Sequence, residues 1–348
     1  MSTKTGSRGT KSAAGSGGDP PRDVQLEIYH FLKLTRALDE RAHALYKQGK
    51  VVGGLFSCLG QEAISVGSAF ALEKGDYVGP QVRNMGAVLV RGHTSRDVMT
   101  QYLARATSPT RGKDNSQHFG DVERTGVISY ISMLGDMVPV MAGLALGSKL
   151  QGRKRVAITY LGDGGCSTGD FYEGLTFAAV QKLPLIVVLE NNQYAYSTPV
   201  SCQTLLKDLA EKAKAFGIPG YVGDGNDVLE VYRMTKRCAD DARAGKGAQL
   251  LEFKTFRMRG HAPHDGAEYV PKELFEEWKK KDPIDRFEKA LGLGAEEKEA
   301  VERKVKAAVD DAVEFAEKSP LPDGADAVKG VFEDDSIVPF TPWWKRDA

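Results

Sequence analysis

Two short motifs carry oxygen ligands on opposite sides of a single predicted helix. Gly162-Asp163-Gly164-Gly165 sets one carboxylate among glycines, and Asn191-Asn192 follows. Asp163 supplies a hard anionic oxygen and the Asn192 amide a neutral one. The backbone carbonyl of Tyr194 is a third oxygen just beyond. This set suits Mg2+, which demands near-octahedral oxygen coordination and completes its shell with phosphate oxygens and water. Three protein oxygens leave places for two oxygens of a diphosphate and one water. Gly162, Gly164 and Gly165 let the main chain come close to the phosphates.

A lone Gly-Asp-Gly is ordinarily a turn, and the chain holds its own control in Gly223-Asp224-Gly225. At the separation that places Asn192 after Asp163, Asp224 is followed by Phe253. The second copy is therefore read as a turn without the crossover that serves the first. A nucleotide-loop alternative is weak, because neither GxxxxGK nor a helix-opening GxGxxG is present.

The ligands need elements to position them. Residues 156–161 and 185–189 are short apolar, β-branched runs and read as buried strands, with a helix over 171–182 between them. This βαβ unit puts Asp163 and Asn192 at the carboxyl ends of neighbouring parallel strands, where ligands of open α/β sheets bind. A third strand is expected over 250–256. Helices are expected over 24–47, from Gly60-Gln61-Glu62-Ala63 to Leu72, and over 137–150, with a polar loop at 111–120. Val301, Val305, Ala308, Ala312, Val313 and Ala316 form one stripe of a C-terminal helix. The expected fold class is α/β: a parallel sheet covered by helices on both faces, with a helical C-terminal extension. Residues 1–20 read as a disordered tail, 21–320 as one domain, and 321–348 as a second tail carrying Trp343-Trp344.

Composition narrows the function. The 348 residues hold 47 basic and 47 acidic side chains, which argues against nucleic acid or an anionic membrane as the main partner. No apolar run reaches the ~20 residues of a membrane span. Cys58, Cys166, Cys202 and Cys238 are scattered without CxxC, as expected of free thiols in a reducing compartment. A cytoplasmic protein is expected.

Gly-Asp-Gly followed at this distance by Asn-Asn is the thiamine diphosphate motif. Over about residues 25–320 the chain resembles the alpha subunit of the decarboxylating component of 2-oxo acid dehydrogenase complexes. The segments TRALDERAHALYKQGK, GQEAISVGSA, GKDNSQH, YLGDGGCSTGDFYEGLTFAAV, ENNQYAYSTP, GDGNDV and FRMRGHAPHD carry the resemblance. It implies thiamine diphosphate and Mg2+ as cofactors, and oxidative decarboxylation of a 2-oxo acid with acyl transfer to a lipoyl group. Pyruvate, branched-chain acids and acetoin stay open as substrates, as does a non-catalytic cofactor-binding subunit. It also implies a beta subunit in an α2β2 heterotetramer, supplying the glutamate that activates the cofactor, and a lipoyl-bearing acyltransferase as the next partner.

By the same resemblance, Arg83 meets the terminal phosphate, with Gln81 beside it. Val82 stands where relatives often have Tyr. Ser132 and Leu134 match the loop that meets the aminopyrimidine. Asp136 stands where relatives often place a neutral potassium ligand, so a K+ site and a solvated loop acid are both open. His261 is the expected catalytic histidine, donating a proton at neutral pH, and His118 is a second one lining the cavity. The role of His264 is open, and His30, His43 and His93 read as ordinary. Ala262 replaces a phosphorylatable serine, which excludes phosphate control there. Phe56 makes the pocket more apolar, and Cys166 reads as packing.

Overall fold

In a computed structural model, which describes residues 18–330, seven strands and twelve α-helices are assigned. The strands are β1 (Tyr77–Gly79), β2 (Ala157–Gly162), β3 (Leu185–Asn191), β4 (Tyr194–Ala195), β5 (Thr198–Pro199), β6 (Gly220–Asp224) and β7 (Gln249–Lys254). The helices are α1 (Arg22–Lys47), α2 (Glu62–Phe70), α3 (Met85–Val90), α4 (Ser95–Tyr102), α5 (Met137–Leu150), α6 (Gly169–Val180), α7 (Val200–Gln203) and α8 (Ala213–Phe216). They continue with α9 (Val228–Arg243), α10 (Lys272–Lys279), α11 (Pro283–Leu291) and α12 (Ala295–Lys318). The expectations for 1–17 and 331–348, Trp343-Trp344 included, fall outside the described residues.

Five strands form one parallel sheet in the order β1-β2-β3-β7-β6, and β4 and β5 make a small antiparallel hairpin. Side chains of a strand alternate between faces. Ile158, Tyr160, Ile186, Val188, Leu251 and Phe253 enter one core with α1, α3, α4, α9 and α12. Ala157, Leu161, Leu185, Val187, Leu189 and Leu250 enter the other with α5 and α6. The α/β class is as the sequence indicated, because strands apolar on both faces must be covered on both.

Two strands of the parallel sheet, and the short β4–β5 hairpin, were not read from the sequence. β1 is only three residues long, and β6 holds two glycines and little apolar surface. β6 also corrects the view of the second Gly-Asp-Gly. Gly223 and Asp224 end β6, and β6–α9–β7 is itself a parallel crossover. Strand context therefore does not separate the two copies. What does is the neighbouring strand end: Asn191 closes β3 and Asn192 follows it, whereas Lys254 closes β7. Asp224 serves a turn, accepting from Asn226 N at 2.8 Å and pairing with Arg286 at 2.8 Å.

Small residues allow close helix packing behind the sheet. A Cβ on Gly67 of α2 would lie 2.8 Å from the Val228 carbonyl of α9, so only glycine fits this crossing. Among the described residues, no helix is long and apolar enough to cross a membrane.

Candidate active site

The carboxyl ends of β1, β2, β3 and β7 open into one cavity of about 710 Å³. All the site residues expected from the sequence line it: Gln81, Arg83, His118, Ser132, Leu134, Gly162, Asp163, Gly164, Gly165, Asn192, Tyr194 and His261. Phe56 and Val82 line it too, whereas His264 and Asp136 do not.

Pairing of β2 with β3 sets Leu161 against Leu189 and Gly162 against Glu190, which brings the two ligand motifs side by side. Asp163 is 2% exposed. Burial raises its carboxyl, and Gln203, Arg257 and Arg83 work against that rise. Its Oδ2 accepts from Gln203 Nε2 at 2.6 Å, and among the described residues no other side chain hydrogen-bonds to the carboxylate. The Asn192 amide nitrogen donates to Gln61 Oε1 at 3.1 Å. Its oxygen then faces Tyr194 N, at 3.4 Å. The Tyr194 carbonyl accepts from Arg257 Nη1 at 3.5 Å, the edge of hydrogen-bond range. Three oxygens at this sheet edge are thus available to a cation. No group of three or more His, Cys, Asp or Glu able to hold a metal exists among the described residues, so a site here depends on neutral oxygens.

Opposite charge gathers beside them. Arg83 donates from Nε to Ser57 O at 3.1 Å and from Nη2 to His261 O at 2.9 Å. Burial and then Arg257 push its guanidinium down to about 10, with Glu190 partly opposing. Gln81 Nε2 is a buried donor with no partner, on a residue 5% exposed. Such an orphan costs free energy unless an acceptor arrives. Buried Arg257, half-buried Arg83 and an unpaired amide make this wall fit a polyanion.

The histidines are held differently. His118 shares hydrogen bonds with Ser132 Oγ at 2.8 Å and Asp114 Oδ1 at 3.0 Å, and stacks on Tyr130. His261 lies between Tyr196 and Phe56, with ring centroids 4.6 and 5.4 Å away. Burial, then Arg83 and Arg257, lower it to about 4. The shift favours the neutral imidazole, whose N–H can donate a hydrogen bond into the cavity. Cys166 is packing, as expected: it is buried, donates to Asp163 O at 2.9 Å and is pushed up to about 11 by burial.

Several lining or supporting residues were not singled out from the sequence. Glu190 is buried, accepts from Asn84 Nδ2 at 2.7 Å, and is pushed up to about 7 by burial. Arg257, 4% exposed, donates to Tyr196 O at 2.8 Å and Tyr269 Oη at 2.6 Å, tying the β4–β5 hairpin to the loop after β7. Asp39 of α1 accepts from Ser57 Oγ at 2.6 Å and Cys58 N at 3.2 Å, fixing the turn whose carbonyl holds Arg83. A charge at the end of an apolar strand was the available signal for Glu190. Asp39 and Arg257 had none, since their partners are remote in sequence.

Comparison with known proteins matches this arrangement to a family. Residues 30–324 fit the model of the dehydrogenase E1 component. The chain belongs to the dehydrogenase E1 component family. This E1 chain is 36% identical over 302 residues to the 2-oxoisovalerate dehydrogenase subunit alpha of Bacillus subtilis (strain 168), covering 85% of this chain and 91% of that one. It is 41% identical over 301 residues to a pyruvate dehydrogenase E1 component subunit alpha of Staphylococcus aureus (strain Mu50), covering 83% and 78%. With the Rickettsia felis pyruvate dehydrogenase E1 component subunit alpha it shares 32% over 318 residues, covering 90% and 97%. The site residues of the E1 chain thus sit within the segment that matches the family.

Proposed function

We propose that this E1 chain is the alpha subunit of a 2-oxo acid dehydrogenase and binds thiamine diphosphate through Mg2+. One observation carries the reading: a buried carboxylate and two neutral oxygens share a cavity with buried Arg257 and half-buried Arg83. Asp163 Oδ1, the Asn192 amide oxygen and the Tyr194 carbonyl hold the cation. Arg83 and Gln81 meet the diphosphate, whose arrival satisfies the orphaned Gln81 amide. The glycines from Gly162 to Gly165 keep side chains out of its path. When bound, the thiazolium supplies the electron sink that loss of carbon dioxide from a 2-oxo acid requires. Ser132 and Leu134 contact the pyrimidine side. His261 directs its neutral N–H at substrate oxygen, and His118, fixed by Asp114 and Ser132, orients the substrate carboxylate. Phe56, Val82, Tyr130 and Tyr196 exclude water and favour an acid with an apolar side chain, branched-chain or pyruvate.

A beta subunit supplies the activating glutamate in an α2β2 assembly. A lipoyl-bearing acyltransferase takes the acyl group, in the cytoplasm. No potassium role is assigned to Asp136, whose carboxyl is raised by burial and by contact with Asp170. The test is dye reduction by the chain co-purified with a beta chain, on pyruvate and on branched 2-oxo acids. Turnover should need Mg2+, thiamine diphosphate and both chains. Absence of turnover with every acid would sink the reading.

A further inference from the structure

Resting on the reading of Asp163 and Asn192 as the metal grip, we propose that Gln203 is a positioning residue for the Asp163 carboxylate. Its amide holds Oδ2 and so presents Oδ1 to the cation. Asp163 is almost fully buried, and among the described residues Gln203 is the one side chain that hydrogen-bonds to its carboxylate, at 2.6 Å. The same nitrogen donates to Thr198 O at 2.9 Å, so both amide hydrogens are committed and the side chain cannot turn without losing two bonds.

The location of Gln203 gives this contact its use. It is the last residue of α7, which leads directly out of the β4–β5 hairpin. That hairpin begins at Tyr194, the proposed carbonyl ligand, and pairs Tyr194 with Pro199 and Ala195 with Thr198. It lies directly on the metal loop: a Cβ on Gly164 would come 2.6 Å from Ala195 Cβ. The hydrogen bonds from Gln203 to Asp163 and to Thr198 therefore lock two ligands from different loops into one rigid unit. The chemistry of the donor matters as well. Arg83 and Arg257 already place positive charge near Asp163. A neutral amide satisfies one carboxylate oxygen without adding a third cation that would neutralise the ligand. Partners that orient a metal's ligands typically contribute 10–100-fold in metal affinity.

The experiment uses the full chain co-purified with its beta chain and stripped of cofactor. Mn2+ binding is read by the paramagnetic resonance of free Mn2+, with thiamine diphosphate saturating. Wild type, Gln203→Leu and Gln203→Met are compared, together with Gln203→Lys, which keeps a donor but adds charge. All three variants should bind Mn2+ about 10–100-fold more weakly. The melting temperature without metal and cofactor should fall only slightly, by the loss of one side chain's hydrogen bonds, because α7 buries none of its residues. Wild-type affinity in Gln203→Leu or Gln203→Met overturns the inference. So does a loss of affinity matched by loss of stability in the metal-free protein, since Gln203 would then only hold the fold. No thiamine diphosphate-dependent Mn2+ binding by wild type would instead remove the metal-site reading beneath it.

Discussion

His261 shows how neighbours set the state of a residue. Its burial and the two arginines keep the ring neutral down to about pH 4. In the unfolded chain the same ring takes up a proton near its ordinary value of about 6.5. The unfolded state thus binds more protons between these values, and this group's contribution to stability falls as pH drops through that window. A bound diphosphate offsets the arginines, so the NMR titration midpoint of His261 should move upward when thiamine diphosphate and Mg2+ are added. An unmoved midpoint would separate the histidine from the proposed phosphate site. Replacing His261 by Ala should lower kcat in the reconstituted pair by roughly 10²–10³-fold, the range for a lost hydrogen-bond donor to a developing oxyanion. Asp39 acts at a distance. Asp39→Ala leaves the Ser57 hydroxyl and Cys58 N–H without their acceptor, at about 1–3 kcal/mol each in urea unfolding. Asp39→Asn should retain most of that stability, because an amide still offers an acceptor to Cys58.

At the scale of elements, strands that are apolar on both faces are legible because burial leaves a continuous run of Val, Ile and Leu. β2 and β3 satisfy this, and their ends follow the expected boundaries closely. β6, at the sheet edge and half exposed, needs no such run, so its glycines conceal it. Glycines within helices separate in the same way. Gly67→Ala forces α2 away from the Val228 carbonyl and should cost about 1–3 kcal/mol in thermal unfolding. Gly143→Ala on α5 meets open space and should stabilise the isolated chain by up to ~1 kcal/mol. Equal effects of the two substitutions would contradict the packing described.

At the scale of the molecule, the sheet is pinned at the end away from the cavity. Asp76, 1% exposed, accepts from Arg243 Nη1 at 3.0 Å and Nη2 at 2.7 Å. It also accepts from Val156 N and Glu73 N, both at 2.8 Å. One carboxylate thereby joins the entries to β1 and β2 to the end of α9. Arg243→Met leaves that charge buried and unpaired, with an expected loss of about 3–5 kcal/mol by calorimetry. The cavity lies at the opposite edge, so cofactor affinity of the folded variant should stay near wild type.

By itself the sequence determined the α/β class and the strand pair carrying Asp163 and Asn192, while family resemblance pointed to Arg83, His118 and His261. The first two follow from local periodicity and from motifs whose spacing is fixed by one crossover. Tertiary structure decided what depends on segments remote in the chain. It left His264 outside the cavity, buried Arg257 beside Arg83, set Asp39 behind Ser57 and brought Gln203 onto Asp163. It also showed that the second Gly-Asp-Gly ends a strand just as the first does. The physical reason is common to all of these: a side chain's burial, charge state and partners come from surfaces that meet only when the sheet and its helices close around one another.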